Sequence, residues 1–302
     1  MKRLLITGHR GLLGSACVRH FTGKYEVFDS GKVDLTHYQA TKKLISFVRP
    51  DAIINCAAKV GGVKANRDYP VDFMLQNVRM QCNVMEAANA CDVQVLVHVA
   101  TSCMFPRDAA LPVEESSLFT GKFEDSVESY ALAKICGWRL AKAYHEQYGR
   151  RYLTVAPSNI YGPGDRYTDQ SHVIPALIKR YHDACINRTD LVVWGDGTAV
   201  REFIYCDDVA SALDVIIEKW QSPEIINIGT GIGTTIKELV HHIGSQSPYA
   251  KTPHIRWNTS EPTGIPRKTF STRQITNLGW KPSIDLETGL HWTWKDFASR
   301  VK

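Results

Sequence analysis

Tyr130 and Lys134 stand four residues apart in the run Ser129-Tyr130-Ala131-Leu132-Ala133-Lys134, inside a stretch with helical patterning. Positions i and i+4 share a helix face, one turn apart. A phenol beside an ammonium has its anion favoured, so the spacing predicts a Tyr130 pKa drawn down towards neutrality. Such a phenol can give or take a proton in carbonyl chemistry. Two other groups could join it. Cys103 follows Thr101-Ser102 at the end of an apolar run, where two hydroxyls and a thiol gather. His172 and Arg180 sit two helical turns apart on one face of another stretch. A tyrosine–lysine spacing arises by chance in many helices, so the elements around it decide its meaning.

Those elements alternate. Arg3 to Thr7 reads as a buried strand that runs into Gly8-His9-Arg10-Gly11-Leu12-Leu13-Gly14 and then a helix. Strand, glycine turn and helix start make a corner where backbone N–H groups can face a pyrophosphate. The second strand, Tyr25 to Asp29, ends in a carboxylate suited to an adenosine ribose, as in an NAD enzyme. Against it stand His9 and Arg10 in the turn and Lys32 just beyond, which suit a 2′-phosphate. The cations outweigh the carboxylate, so the turn predicts NADP. A third strand, Asp51 to Asn55, leads into Cys56-Ala57-Ala58-Lys59, where small residues let a cofactor pass close to the backbone. Gln94 to Ala100 and Tyr152 to Ala156 are further strands, with long helices before each.

This order predicts an α/β fold, a Rossmann-type doubly wound parallel sheet with ligands at the carboxyl ends of its strands. After Gly162 the regularity weakens. A smaller, discontinuous substrate domain is expected there, with residues 161–202 and 230–302 in it. Residues 1–160 and 203–229 then form the dinucleotide-binding domain.

The 302 residues are 44% hydrophobic and 22% charged, an ordinary globular balance. A net charge of +5 without a basic stripe argues against nucleic acid. No apolar run is long enough to span a membrane, and the N-terminal residues read as a strand and not a signal peptide. The eight cysteines form no C-x-x-C pair, so most are expected to be small buried apolar residues in a reducing cytoplasm. Neither a disulfide framework nor a metal site is expected.

The chain resembles the extended short-chain dehydrogenase/reductases and, among them, the GDP-L-fucose synthase family. The resemblance is carried by Gly8 to Gly14, Ala57-Ala-Lys-Val-Gly-Gly62, Thr101-Ser-Cys-Met-Phe-Pro106 and Tyr130 to Lys134. It continues in Ser171 to Leu177, Val193 to Thr198, Arg201-Glu-Phe203 and Gly264-Ile-Pro-Arg-Lys268. It implies NADPH-dependent epimerisation at C3 and C5 and reduction at C4 of a GDP-4-keto-6-deoxy-mannose-type sugar. Tyr130 becomes the general acid at the C4 carbonyl, and Lys134 lowers its pKa and holds the nicotinamide ribose. Thr101 bonds the same oxygen, where many relatives have serine. Cys103 and His172 become the acid/base pair of epimerisation. Arg180, Trp194, Arg201 and Lys268 bind the GDP end, with Asn159 beside them. The cofactor is expected against Gly8 to Gly14, Asp29, Lys32, Ala57, Ala58, Lys134, Pro157, Asn159 and Ile160. A homodimer through paired helices is also implied.

Three other readings keep the fold. One is a related GDP-4-keto-sugar reductase or epimerase, for instance acting on a heptose. Another is a nucleotide-sugar 4-epimerase with bound NAD, against which Cys103 and His172 speak. The last is an NADP-sensing binding protein, against which Thr101, Tyr130 and Lys134 speak.

Overall fold

A computed structural model of the chain describes residues 1–260 and 264–301. The first half is the expected alternation. It holds β1 (Arg3–Thr7), α1 (Leu12–Phe21), β2 (Glu26–Asp29), α2 (Tyr38–Val48), β3 (Ala52–Asn55), α3 (Val63–Asp68) and α4 (Pro70–Ala90). Then come β4 (Val95–Val99), α5 (Glu128–Tyr148), β5 (Arg151–Pro157) and β6 (Asn159–Tyr161). The second half adds α6 (Val173–Asn187), β7 (Leu191–Trp194), β8 (Val200–Tyr205), α7 (Cys206–Lys219) and β9 (Ile225–Ile228). It ends with β10 (Gly233–Thr235), α8 (Ile236–Ser245), β11 (Ile255–Asn258), β12 (Arg267–Lys268), α9 (Arg273–Asn277) and α10 (Leu286–Arg300).

Six strands form one parallel sheet in the order β2-β1-β3-β4-β5-β9. Leu4 and Ile6 face one core, with α1 and α7, and Leu5 faces the other, with α2, α4 and α5. Both faces are therefore buried, which is why these strands read as unbroken apolar runs. The order reverses between β1 and β3, and a ligand crevice forms outside the carboxyl ends at such a switch. Among the described residues no helix is long and apolar enough to cross a membrane.

The remaining strands make small sheets. β8 pairs with β6, β10 and β12, and β7 pairs with β11. Glu202 of β8 locks this region together. Its buried carboxylate accepts the N–H groups of Thr230, Gly231 and Phe270 at 2.6, 3.1 and 2.6 Å. A Cβ at Gly229 would lie 1.9 Å from its Oε1, so that glycine is required. The bond to Phe270 ties down the chain just after β12. Glu202 thereby steadies Arg201 and Lys268, which stand in register on β8 and β12.

The structure corrects the expected burial of the cysteines and fixes the ends of two helices. Tyr205 is the N-cap of α7, and Asp207 lies in its first turn, paired with Arg19 at 2.5 Å. The α8 cap is Thr235, whose hydroxyl and Glu238 close a capping box. Of the eight free cysteines only Cys17 and Cys206 are buried, and Cys136 is exposed. Most are not core residues, because they lie on helix flanks and strand ends and not on the apolar faces.

Candidate active site

The glycines of the phosphate turn have different duties. Gly8 has φ +68°, and a Cβ there would sit 2.8 Å from the Ala57 nitrogen. A Cβ at Gly14 would sit 2.1 Å from the Gly8 carbonyl oxygen. Both are demanded by packing of the turn on itself and on the end of β3. Gly11 is exposed and is the N-cap of α1 with no side chain over the helix end. The first N–H groups of α1 are thus presented outward, as an anion site needs.

His9 is mostly enclosed, its Nε2 3.6 Å from Asp29 Oδ1. Its Nδ1 is buried without a hydrogen-bond partner among the described residues. Asp29 also accepts the Gly31 N–H at 2.6 Å. The carboxylate that signalled NAD is therefore partly engaged within its own turn. Arg10 and Lys32 are exposed beside it. An uncapped helix start, an orphaned imidazole nitrogen and two open cations fit a phosphorylated dinucleotide. Ala57 and Ala58 are half-buried along the crevice. Leu13 and Pro157 are buried, so only their backbones can face a cofactor, while Leu12 and Ile160 are half-buried. Asn159 donates from Nδ2 to the Glu202 carbonyl at 2.7 Å, so its side chain joins β6 to β8.

Thr101 ends the run of β4 and caps the single turn Ser102–Met104, its Oγ1 accepting the Cys103 N–H at 3.3 Å. The same hydroxyl lies near the Tyr130 phenol and favours its anion. Tyr130 is held from α4 by Phe73, edge to face at 6.0 Å. Lys134 is buried, and its Nζ donates to the Val99 carbonyl at 2.8 Å. The expected depression of the Tyr130 pKa is not found. Burial pushes the phenol well above its ordinary value, Cys103 adds to this, and the Thr101 hydrogen bond only partly opposes it. Burial pulls Lys134 itself down to about 8. Tyr130 in this state is a fully protonated acid.

On the substrate side, Lys268 is near enough to Cys103 to be influenced by it. Burial pulls the Lys268 pKa down, with Cys103, Arg201 and Glu124 as lesser influences. Its Nζ reaches the Phe105 carbonyl at 3.5 Å. His172 is the exposed N-cap of α6, beside the buried Asp165. The described contacts do not join Cys103 to His172. What places His172 is Gly62: its N–H donates to Gln170 O at 2.8 Å, and a Cβ there would meet Ser171 O at 2.7 Å. The Val60-Gly61-Gly62 run thus seats the loop that carries His172.

The four residues expected at the GDP end form two pairs. Arg201 and Lys268 stand together near Cys103. Arg180 lies 4.9 Å over the Trp194 ring and pairs with Asp169 at 3.3 Å. This second pair lines a cavity of about 450 Å³ with Lys64, Asp183 and Val192. Sequence reasoning missed Lys64, Asp169 and Glu124, because no spacing signals them. Among the described residues no group of His, Cys, Asp and Glu could hold a metal ion.

The chain matches the model of the NAD dependent epimerase/dehydratase family over residues 4–229. It is 39% identical to the GDP-L-fucose synthase of Sinorhizobium fredii, over 99% of this chain and 96% of that protein. In structure it is similar to a GDP-L-fucose synthetase from Naegleria fowleri bound to NADP, with a TM-score of 0.90 and 26% identity over 99% and 94% of the two chains. It is also similar to a GDP-6-OMe-4-keto-L-xylo-heptose reductase from Campylobacter jejuni, with a TM-score of 0.88 and 26% identity over 99% and 98%. With a family match across the whole parallel sheet and a full-length likeness to GDP-L-fucose synthase, the chain belongs to the NAD dependent epimerase/dehydratase family.

Proposed function

We propose that this enzyme epimerises C3 and C5 and reduces C4 of a GDP-4-keto-6-deoxy-mannose-type sugar with NADPH, giving GDP-L-fucose. The observation that supports it most is the convergence of Thr101, Cys103, Tyr130 and Lys268 where β4 ends. A C4 ketone acidifies the hydrogens on C3 and C5, since the enolate spreads its charge onto oxygen. Thr101 and Tyr130 donate to that oxygen. Cys103 takes the proton, with Lys268 as the facing cation, and His172 returns one from the other side. The bound cofactor supplies hydride to C4. Tyr130 then gives its proton to the C4 oxygen, and Lys134 holds the nicotinamide ribose. Arg201 and Lys268 grip the diphosphate, and Arg180 over Trp194 closes on the rest of the GDP.

Incubation with GDP-4-keto-6-deoxymannose and NADPH, with the product identified by NMR, tests the reading. The likeness to a heptose reductase supports a related GDP-4-keto heptose as the second candidate. Turnover of that sugar alone would replace the first. The same likenesses support residues 1–160 and 203–229 as the cofactor domain and the rest as the substrate domain. Limited proteolysis with and without NADPH, protecting only the first set, checks that division.

Arg10 sets the choice of cofactor in this reading. NADPH binds more tightly than NADH, and Arg10→Ala narrows the gap by about 1–3 kcal/mol, the scale of a charge-assisted hydrogen bond. Paired titrations of the two cofactors read this directly, and a parental preference for NADH would give the site to Asp29.

The enzyme forms a homodimer in this reading. Val71, Met74 and Leu75 of α4 and Leu132 of α5 are exposed apolar residues on a helix pair that a second copy can cover. Sedimentation equilibrium is expected to give twice the chain mass, and a monomer mass would overturn the assignment. The free thiols suit a reducing cytoplasm, which cell fractionation checks.

A further inference from the structure

A row of polar residues crosses the sheet beneath α5. Thr7, Asn55, His98 and Thr154 pair in register along β1, β3, β4 and β5. In-register neighbours point to one face. It is the face of α2, α4 and α5, because the alternating residues Leu5, Ile53, Leu96 and Tyr152 pack there. All four polar residues are 0 or 1% exposed. Thr7 donates to Asn55 Oδ1 at 2.6 Å. Thr7 Oγ1 also accepts the Ala57 N–H at 3.2 Å. Asn55 Nδ2, both ring nitrogens of His98, Thr154 Oγ1 and Gln81 Oε1 of α4 are buried without a hydrogen bond among the described residues. Buried polar atoms are almost always paired, by protein or by internal water.

Gly137 makes room for this cluster. A Cβ there would lie 2.5 Å from His98 Nε2 and 2.6 Å from Gln81 Oε1. A glycine weakens a helix interior, and this one stands in the middle of the 21-residue α5, three residues from Lys134 on the same face. Lys134 has three N–H donors, and its one described bond goes to Val99. Burial, helped by the Lys134 charge, keeps the His98 imidazole neutral. It therefore offers one donor and one acceptor. Cys56, at the end of β3, also faces Lys134, and Tyr130 stands one turn away on the same face of α5.

We infer that His98 is a positioning residue for Lys134: its neutral imidazole, with Gln81, Asn55 and Thr154, holds internal water beneath α5 that solvates the Lys134 ammonium. The inference rests on Tyr130 and Lys134 being the reductive pair. One water can satisfy about three such orphaned groups. A solvated ammonium keeps its proton to higher pH than one in a dry cavity. His98 acts on charge, and it touches no reacting atom.

The test compares His98→Leu, which removes both ring nitrogens, with His98→Gln, which keeps polar atoms in place. Lysine carbon-13 spectra of the cofactor-free protein, assigned with Lys134→Arg, follow Lys134 against pH. His98→Leu is expected to titrate about one unit below the parent, and His98→Gln with the parent. The alkaline limb of kcat/KM for NADPH-dependent reduction should move the same way. His98→Leu then falls about tenfold below the parent on that limb and matches it in mild acid. Gln81→Leu removes the other polar side chain against Gly137, shifts the midpoint in the same direction, and gives the reading if His98→Leu does not fold. An unmoved Lys134 midpoint in a folded leucine variant overturns the inference, as does an equal shift in His98→Gln. Tyr130→Phe separates the two levels. Parental reduction in that variant removes the reductive pair itself, whereas lost reduction with an unmoved Lys134 midpoint in His98→Leu counts against His98 alone.

Discussion

Tyr130→Phe lowers NADPH-dependent reduction by about two orders of magnitude or more, the usual contribution of one general acid. The phenol is enclosed between Phe73 and the Thr101 hydroxyl, and burial holds its proton firmly in this state. Its loss removes the donor to the C4 oxygen without changing the packing of the ring. Proton exchange at C3 and C5 persists at a reduced level, because Thr101 and Cys103 are untouched. Stopped-flow loss of NADPH absorbance, with deuterium uptake measured in parallel, reads both halves. Near-parental NADPH oxidation would show that another group protonates C4. The rate also has a sign with pH. Lys134 carries its charge below about pH 8 and loses it above, so reduction is expected to decline on the alkaline side.

Cys103→Ser abolishes most epimerisation and spares reduction. A serine hydroxyl is far harder to ionise than a thiol, so the base is lost while the Tyr130, Lys134 and Thr101 set remains. The backbone N–H of residue 103 still bonds Thr101 Oγ1, so the turn keeps its shape. With the 4-keto sugar and NADPH the variant diverts to an unepimerised C4 alcohol, GDP-rhamnose or its C4 epimer. His172→Gln slows epimerisation as well, and the product then carries one inverted centre. Deuterium incorporation at C3 and C5 in heavy water, followed by NMR of the product, decides the matter. Normal uptake and normal product from Cys103→Ser would make the thiol a packing group and leave a simple reductase.

The sequence by itself determined what depends on short range. Strand, glycine turn and helix follow one another within residues 3–21, and the structure has them there. The apolar runs that predicted a parallel sheet are its six strands, buried on both faces. The Tyr130/Lys134 spacing sits on α5, because helix geometry is a local property. Where the charges went was decided only by the tertiary structure. Lys134 donates to the Val99 carbonyl, 35 residues away, and burial raises the phenol it was expected to acidify. Lys268, from the far end of the chain, comes near Cys103, while the described contacts do not join Cys103 to His172. Glu202 gathers three N–H groups from two later loops, and Gly137 yields its space to His98 and Gln81. A pKa depends on burial and on neighbours within a few ångströms, and the topology of the sheet, not spacing along the chain, chooses those neighbours.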